Sequence, residues 1–279
     1  MVAINPLDVL FWTLRRNERD VVNMYNSLSP IMQLATGGNM LNFGYWDDTT
    51  IEPISAQENL CREFGVLADL ENARTVVDLG SGLAAPAVSW QKNFTNLNLY
   101  CINTNFSQLC SSGMHTRIEL LNSTSTCLPF PNGVVDRVLA LESSQHFRPY
   151  VDFVSESRRI LNPSGMLVLA IPVILNDSMA SGLGVLKYTW SSEHYSLDWI
   201  RDVLISGGFK VTSERLIGRS VYEPLAAYYT QNRDSLRKSI LKEYPSYVEK
   251  ILHHSIQKMK KASKDRIIDY ALFKCVLSK

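Results

Sequence analysis

Apolar residues at helical spacing open the chain. In residues 5–36 they recur every three or four positions, as at Leu10 and Leu14, which is the period of one buried helix face. A Thr-Gly-Gly-Asn stretch ends this pattern. Residues 55–70 resume it, with Ser55 placed to cap a further helix. The pattern predicts an N-terminal helical region.

From Arg74 onward, short apolar runs alternate with helical stretches. The predicted strands are residues 75–79, 97–102, 134–141, 166–173, 209–217 and 267–277. Helical spacing lies between several of them, and a longer helical stretch, residues 222–262, precedes the last. Strands joined through helices favour crossover connections and a parallel sheet. The pattern therefore indicates an α/β domain that carries a helical insertion.

Charge and composition narrow the function. The 28 basic and 27 acidic residues give a net charge of +1, so a role that depends on nucleic-acid phosphates is disfavoured. The five cysteines are scattered without ligand spacing, which predicts reduced thiols and no metal site. The apolar runs are too short for a membrane span. With no signal-peptide pattern at the amino terminus, we expect a cytoplasmic monomer or homodimer.

A strand that runs into a glycine turn is the strongest local motif. Val76–Gly82 reads Val-Val-Asp-Leu-Gly-Ser-Gly, and Pro86 then suits the first turn of a helix. Glycines at this turn would let the backbone approach a ligand where a Cβ would collide with it. The third glycine of a dinucleotide motif is absent, because alanine stands in its place, and Asp78 suits an amino-bearing ligand. Three interpretations stay open from the motif: adenosylmethionine, a nucleotide phosphate, or a corner that binds nothing.

Four stretches resemble a known family. Val76–Gly82 with Ala85-Pro86-Ala87 resembles motif I of the class I S-adenosylmethionine-dependent methyltransferases. The Leu-Pro-Phe-Pro segment at 128–131 with 135–138, residues 140–147 and residues 158–166 are similar to three later motifs in the right order. The likeness is greatest to the small-molecule branch, with rebeccamycin-type sugar O-methyltransferases and sarcosine, sterol, tocopherol and prenyl methyltransferases.

The resemblance implies a fold and a domain layout. It implies a Rossmann-like, seven-stranded, mostly parallel sheet with an N-terminal helical lid and a helical insertion before the last strand. A single methyltransferase domain would span residues 1–279. Within it, residues 1–70 would form the lid, 71–221 and 263–279 the cofactor-binding core, and 222–262 a helical substrate cap.

The family's cofactor-binding positions transfer residue by residue. They imply that S-adenosylmethionine contacts Tyr25, Asp78, Gly80, Ser81, Gly82, Asn103, Thr104, Gln108, Thr124, Ser125 and Leu141. Two of these depart from the family pattern. Asn103 stands where an acid usually holds the ribose hydroxyls, and Thr124 where an acid usually takes the adenine amino group. Asn103 could instead cap the next turn.

Two titratable residues follow the predicted strand at 134–141, which resembles the family's fourth strand. His146 occupies the place of a general base, and Glu142 could orient the substrate. Alternatively, His146 only lines the pocket and Glu142 is a hydrogen-bonded structural acid. Gln145 replaces the first histidine of the pair in the sugar O-methyltransferases, and residues near Ile171 lack their acid.

Aromatic and amide side chains provide the candidate acceptor contacts. Trp46 lies in an aromatic loop, Tyr222 opens the inserted helical stretch, and Gln145 precedes His146. Tyr25 matches the family's lid tyrosine, which could attract a sulfonium through its ring face. Ordinary packing is the alternative for the aromatic residues.

The resemblance implies S-adenosylmethionine-dependent methyl transfer to a small-molecule acceptor, at oxygen, nitrogen or carbon, with a secondary metabolite or a prenyl-type compound as the candidate acceptor. The absent acids favour one alternative, a methyltransferase-fold protein that binds the cofactor or its product without methyl transfer, such as a pericyclase or a binding module. A third hypothesis is an RNA or protein methyltransferase. The sequence has neither the Asn-Pro-Pro-Tyr type of motif found in amino-group nucleic-acid enzymes nor an excess of basic residues.

Overall fold

A computed structural model of the chain describes residues 14–113, 116–175, 177–184, 186–189 and 192–278. The part of the first predicted helix at residues 5–13 lies outside them. The α-helices are α1 (Glu18–Thr36), α2 (Pro53–Leu67), α3 (Ala85–Asn93), α4 (Phe106–Ser111), α5 (Tyr150–Ile160), α6 (Leu186–Thr189), α7 (Leu197–Ser206), α8 (Tyr222–Gln231), α9 (Arg233–Glu243) and α10 (Ser246–Lys264). The strands are β1 (Thr75–Leu79), β2 (Asn98–Ile102), β3 (Ile118–Leu121), β4 (Val135–Leu141), β5 (Leu161–Ile174), β6 (Phe209–Leu216) and β7 (Ile268–Leu277). Short 3₁₀ turns lie at Leu70–Asn72, Ser144–His146, Asp177–Leu183 and Gly218–Ser220.

The strands form one sheet in the order β3-β2-β1-β4-β5-β7-β6. Neighbours from β3 to β5 pair in parallel, and β7 runs antiparallel between β5 and β6. The predicted Rossmann-like, seven-stranded and mostly parallel sheet is confirmed. Strand β3 was not among the strands that the apolar pattern predicted, because its four residues, Ile-Glu-Leu-Leu, are too few to establish a period.

Alternate residues of the central strands fill two apolar layers, one on each face of the sheet. Val76 faces a layer that contains Leu60 and Trp90, and Val77 faces a layer that contains Phe153 and Ile200. A strand covered on both faces need not alternate apolar with polar residues, which is why Val76 and Val77 follow one another in β1. The carboxyl ends of the parallel strands are left to form the functional edge.

Local signals explain most helix ends, with one correction. The side chain of Asn17 accepts a hydrogen bond from the backbone N–H of Asp20 to begin α1. Ser55 does not cap α2 as expected. That helix begins two residues earlier because Pro53, whose ring presets the helical φ angle, occupies its first position.

The helical stretch predicted before the last strand consists of three helices, α8, α9 and α10. Tyr244 and Ile240 of the inserted helices pack on Ile31 of α1 in a small apolar cluster. The inserted helices therefore buttress α1 from outside the sheet. Within the described residues, no helix combines the length and apolarity needed to cross a membrane.

Candidate active site

The turn after β1 is built around two glycines with positive φ, +70° at Gly80 and +57° at Gly82. A Cβ on Gly80 would lie 2.5 Å from the Cβ of Ser143, in the loop after β4. At Gly82 the nearest atom, in Leu41, would be 3.7 Å away. The expectation that a ligand excludes a side chain from both positions needs correction at Gly80, where the contact with Ser143 already does so.

A cleft of about 1000 Å³, including its open mouth, lies beside this turn and beneath α1. It lies at the carboxyl ends of β1, β2 and β4, where parallel α/β sheets bind their ligands. The predicted site residues that line it are Tyr25, Asp78, Gly80, Ser81, Gly82, Asn103, Thr104, Gln108, Ser125, Leu141, Glu142 and His146. Its other described lining residues are Glu18, Val21, Val22, Asn39, Leu41, Asn42, Leu83, Pro86, Ile102, Asn105, Ser123, Ser143 and Phe147.

Asp78 is a buried acid at the floor of the cleft. Its side chain is 2% exposed, and its Oδ2 atom has no hydrogen-bond partner among the described residues. The described lining of the cleft contains no lysine or arginine. Burial without a cation therefore raises the pKa of Asp78 to about 7. Such a carboxylate suits a ligand that brings its own positive charge.

Asn103 holds the cleft wall together. Its amide nitrogen donates to the carbonyl of Gly82 at 3.1 Å and to Oε1 of Gln108 at 3.0 Å. Its Oδ1 accepts from the backbone N–H of Asn105 at 3.0 Å, as the turn-capping alternative required. A carbonyl oxygen has a second lone pair, so Asn103 can still accept a hydrogen bond from a ligand.

Thr124 is displaced from the predicted cofactor contacts. It does not line the cleft, although Ser123 and Ser125 on either side of it do. Its hydroxyl donates to Oε1 of Glu18, at the start of α1, and lies 3.1 Å from the hydroxyl of Thr126. No motif selected Glu18, which lies in a helix far along the chain from the core motifs.

Glu142 directly follows β4 in a left-handed conformation with φ +53°, which a non-glycine residue adopts only under constraint. Its Oε1 accepts from the backbone N–H of Phe43 at 2.9 Å and from the hydroxyl of Tyr270 at 2.8 Å. Burial raises its pKa to about 8, although these two hydrogen bonds partly oppose the shift. The carboxyl group is therefore mostly protonated at neutral pH.

His146 meets Tyr25 across the cleft. The Tyr25 hydroxyl lies 3.0 Å from Nε2 of His146, and the two rings pack edge to face. Burial, together with the positive charge of Arg16, lowers the pKa of His146 to about 4. Burial and the nearby Glu142 raise the pKa of Tyr25 above its usual range. The imidazole is therefore neutral at physiological pH.

The three predicted acceptor-binding residues lie behind the described lining rather than in it. Gln145 is buried and donates to the backbone carbonyl of Glu142 at 2.7 Å. Trp46 packs against Tyr228, with ring centres 5.8 Å apart. Tyr222 is fully buried, and its hydroxyl donates to the carbonyl of Asp269 at 3.2 Å. Their sequence positions were near the site, but in the structure Gln145 and Tyr222 donate to backbone carbonyls and Trp46 packs on a ring outside the described lining.

Apart from Tyr25, sequence reasoning missed the lining residues that come from α1 and the loop after it. Glu18, Val21 and Val22 are on α1, and Asn39, Leu41 and Asn42 follow it. The aromatic loop near residue 45 was the available signal for this region. Among the described residues, no group of three histidine, cysteine, aspartate or glutamate side chains is placed to hold a metal.

The cleft fits S-adenosylmethionine, which carries an ammonium group, a sulfonium charge and several hydrogen-bond donors. Glu18, Asp78 and Glu142 supply three carboxyl groups, and no lysine or arginine stands in the described lining to attract a phosphate instead. The unpartnered Oδ2 of Asp78 is placed to take a donor such as the ammonium group. The backbone of the glycine turn and the side-chain amides of Asn103 and Gln108 supply further polar groups to the cleft.

Comparisons with known proteins agree with this chemistry. Residues 77–169 match a family described as a methyltransferase domain. The erythromycin 3''-O-methyltransferase of Saccharopolyspora erythraea is 22% identical over 86% of this chain and 85% of its own length.

Solved structures show the same fold. The [4+2]-cyclase SpnF superposes with a TM-score of 0.79 at 17% identity, over 94% of this chain and 97% of that one. The mycolic acid cyclopropane synthase CmaA1, solved in complex with SAH, superposes with a TM-score of 0.77 at 16% identity. The match covers 90% of this chain and 95% of that one. Together with the motifs and the site, these comparisons support a class I S-adenosylmethionine-dependent methyltransferase of the small-molecule branch.

Proposed function

We propose that the chain transfers the methyl group of S-adenosylmethionine to a hydroxyl of an uncharged small molecule, of the kind made in secondary metabolism. The observation that carries this proposal is the pair His146 and Glu142 in one cleft, with pKa values moved in opposite directions. Two groups separated in this way can divide the roles of proton acceptor and proton donor.

His146 is the proposed proton acceptor. Because the pKa of His146 is lowered to about 4, its imidazole is neutral at physiological pH. One ring nitrogen is therefore available to accept a proton. Nε2 is engaged by Tyr25, and Nδ1 is buried without a hydrogen-bond partner among the described residues. A base whose second nitrogen is held by an orienting group follows the logic of other catalytic histidines.

Glu142 is the residue proposed to orient the acceptor molecule. Both of its observed donors, Phe43 and Tyr270, bond to Oε1. A protonated carboxyl would therefore carry its hydrogen on Oε2 and could donate it to an oxygen of the acceptor. The left-handed backbone at Glu142 fits a side chain held in place for function.

When bound, the cofactor supplies an electrophilic methyl group on a positively charged sulfur. This chain's residues would then align the acceptor oxygen and take its proton on His146, which would become cationic. The new oxygen–carbon bond would replace the methyl–sulfur bond, whose electron pair would stay on sulfur, and the acceptor would become an ether.

The charge of the cleft supports the acceptor class. A phosphorylated acceptor would find no lysine or arginine among the described lining residues to pair with its negative charge. An uncharged acceptor avoids that cost. The name of the relative that aligns over most of the chain, an erythromycin O-methyltransferase, also supports a hydroxyl acceptor.

The test is a screen of hydroxyl-bearing secondary metabolites with methyl-labelled S-adenosylmethionine. With the acceptor found, His146→Ala is expected to lower kcat by about 10²–10⁴-fold, the usual contribution of general base catalysis. Affinity for S-adenosylhomocysteine should stay within about threefold. His254→Ala is the matched control, because His254 is exposed on α10 and bonds only locally, to the carbonyl of Lys250.

Cofactor binding without transfer to any compound in the screen would favour the alternative, a binding or pericyclase role on this fold. Transfer that survives His146→Ala unchanged would contradict the assignment of the base.

A further inference from the structure

Helix α1 closes one side of the cleft and is fastened to the core at separate points. The hydroxyl of Ser29 accepts from Nε2 of Gln108 at 3.0 Å, beside the end of β2. Tyr25 reaches His146 in the loop after β4. The helix therefore has a defined register over the cleft, and side chains on its inner face keep fixed positions relative to the strand ends.

Glu18 lies in the first turn of this helix and lines the cleft. Its Oε1 accepts the hydroxyl proton of Thr124, which belongs to the loop after β3. A carboxylate can accept about four hydrogen bonds in all. The contact with Thr124 thus fixes the carboxylate while leaving acceptor capacity for a ligand.

The neighbouring core residues at this end of the cleft are neutral. Asn103, Ser123 and Ser125 present amide and hydroxyl groups. The hydroxyl proton of Thr124 is already donated to Glu18. The other two carboxyl groups of the described lining, Asp78 and Glu142, belong to the ends of β1 and β4. Negative charge at the β2–β3 end is therefore supplied by α1 rather than by the sheet.

We propose that Glu18 recognises the exocyclic amino group of the cofactor's adenine. This inference rests on the proposed function, since it assumes that the cleft holds S-adenosylmethionine. The loop at Thr124 is the segment that the family resemblance assigns to the adenine amino group, and the structure places a carboxylate against it from a different element. Glu18 does for the purine what the neutral Thr124 does not.

A carboxylate at position 18, which can only accept hydrogen bonds, should prefer adenine to hypoxanthine. An amino group donates to the carboxylate, whereas the keto oxygen of hypoxanthine would be repelled by it. A hydrogen bond to a charged group contributes about 1.5–3 kcal/mol, which corresponds to a preference of tenfold or more for adenine. A glutamine at position 18 removes the charge and offers an amide N–H to the keto oxygen, so it should erase this preference.

The experiment is calorimetric titration with S-adenosylhomocysteine and with the same compound carrying hypoxanthine in place of adenine. For the unaltered protein we expect the adenine compound to bind at least tenfold more tightly. Glu18→Gln should weaken binding of the adenine compound by about tenfold or more and bring the ratio close to one. Glu58→Gln, at an exposed position of α2 outside the cleft lining, is the matched control and should keep the full ratio.

The ratio separates recognition from mere structural support. If Glu18→Gln weakened both compounds equally, Glu18 would only hold α1 in place and the inference would be wrong. A ratio that is unchanged in Glu18→Gln would overturn it as well. Failure of the unaltered protein to bind either compound would instead remove the cofactor site, and with it the proposed function.

Discussion

The hydroxyl of Tyr25 and Nε2 of His146 lie 3.0 Å apart, and this contact joins α1 to the loop after β4. One partner comes from the N-terminal helix and the other from the core, so the proposed base is oriented only when the helix is in place. Because both groups are removed from bulk water, the tyrosine keeps its proton and the histidine stays neutral. The hydrogen bond between Tyr25 and His146 therefore joins two neutral groups.

Removing the tyrosine hydroxyl should impair catalysis more than binding. In Tyr25→Phe, His146 loses the group that orients its ring, and we expect kcat to fall about tenfold. Affinity for S-adenosylhomocysteine, measured by calorimetry, should change less than about threefold. Tyr228→Phe is the control, since Tyr228 packs on Trp46 outside the cleft. Equal rates in Tyr25→Phe and the unaltered enzyme would refute an orienting role.

The dependence of rate on pH should separate the roles of His146 and Glu142. Protonation of His146 below about pH 4, and ionisation of Glu142 above about pH 8, should each reduce the rate. Glu142→Gln stays neutral at every pH and keeps a donor group, so it should retain activity and lose the alkaline fall. A rate that instead rises through pH 8, and disappears in Glu142→Gln, would make Glu142 the base.

Asp78 should make the fold less stable as pH rises. Its folded-state pKa of about 7 lies above the value of about 4 in an unfolded chain, so the folded state holds this proton more tightly. Its contribution to stability is present at low pH and is lost as pH rises from about 4 to 7. Asp78→Asn cannot ionise, and at pH 8 it should be more stable than the unaltered protein by about 1–3 kcal/mol.

The measurements are thermal unfolding at pH 5 and pH 8 and titration with S-adenosylmethionine. The stabilisation by Asp78→Asn should be larger at pH 8, while affinity for the cofactor should fall at least tenfold. Asp48→Asn, at an exposed position, should stay within about 0.5 kcal/mol at both pH values. Destabilisation by Asp78→Asn at pH 8 would mean that the carboxylate has a favourable partner in the fold.

Gly80 and Gly133 share a φ of +70° but differ in their surroundings. A Cβ on Gly80 would meet Ser143 at 2.5 Å, whereas a Cβ on Gly133 would have nothing within 4 Å. Gly133→Ala should therefore cost only the backbone strain, about 1 kcal/mol. Gly80→Ala should cost roughly 2–4 kcal/mol, because overpacking is added to that strain. Urea unfolding gives both values, and equal losses would show that Ser143 yields to the extra methyl group.

Much of the fold was predictable because its signals are local. The β-branched run of β1, the glycine turn and Pro86 lie within about a dozen residues, and each acts through its own backbone. Strand β3 was missed because so short a segment has no measurable period, and Ser55 was misread because a proline two residues earlier has the stronger effect on the helix start.

The site was predictable only in part, for the same physical reason. The motifs located Asp78, Glu142 and His146 because these residues directly follow buried strands, and the carboxyl ends of parallel strands meet at one edge. They did not foresee the contacts of Thr124 and Tyr222, whose hydroxyl groups turn to Glu18 and to a backbone carbonyl. No sequence pattern records which partner a hydroxyl will find.

Local periodicity along the chain thus determines the α/β architecture, the glycine turn and the identity of the strand-end acids. Folding alone brings Glu18 to Thr124 across 106 positions, Tyr25 to His146 across 121 and Tyr270 to Glu142 across 128. The pKa values that divide the proposed catalytic roles also arise there, because they depend on exclusion of water, which a residue acquires only from neighbours distant in sequence.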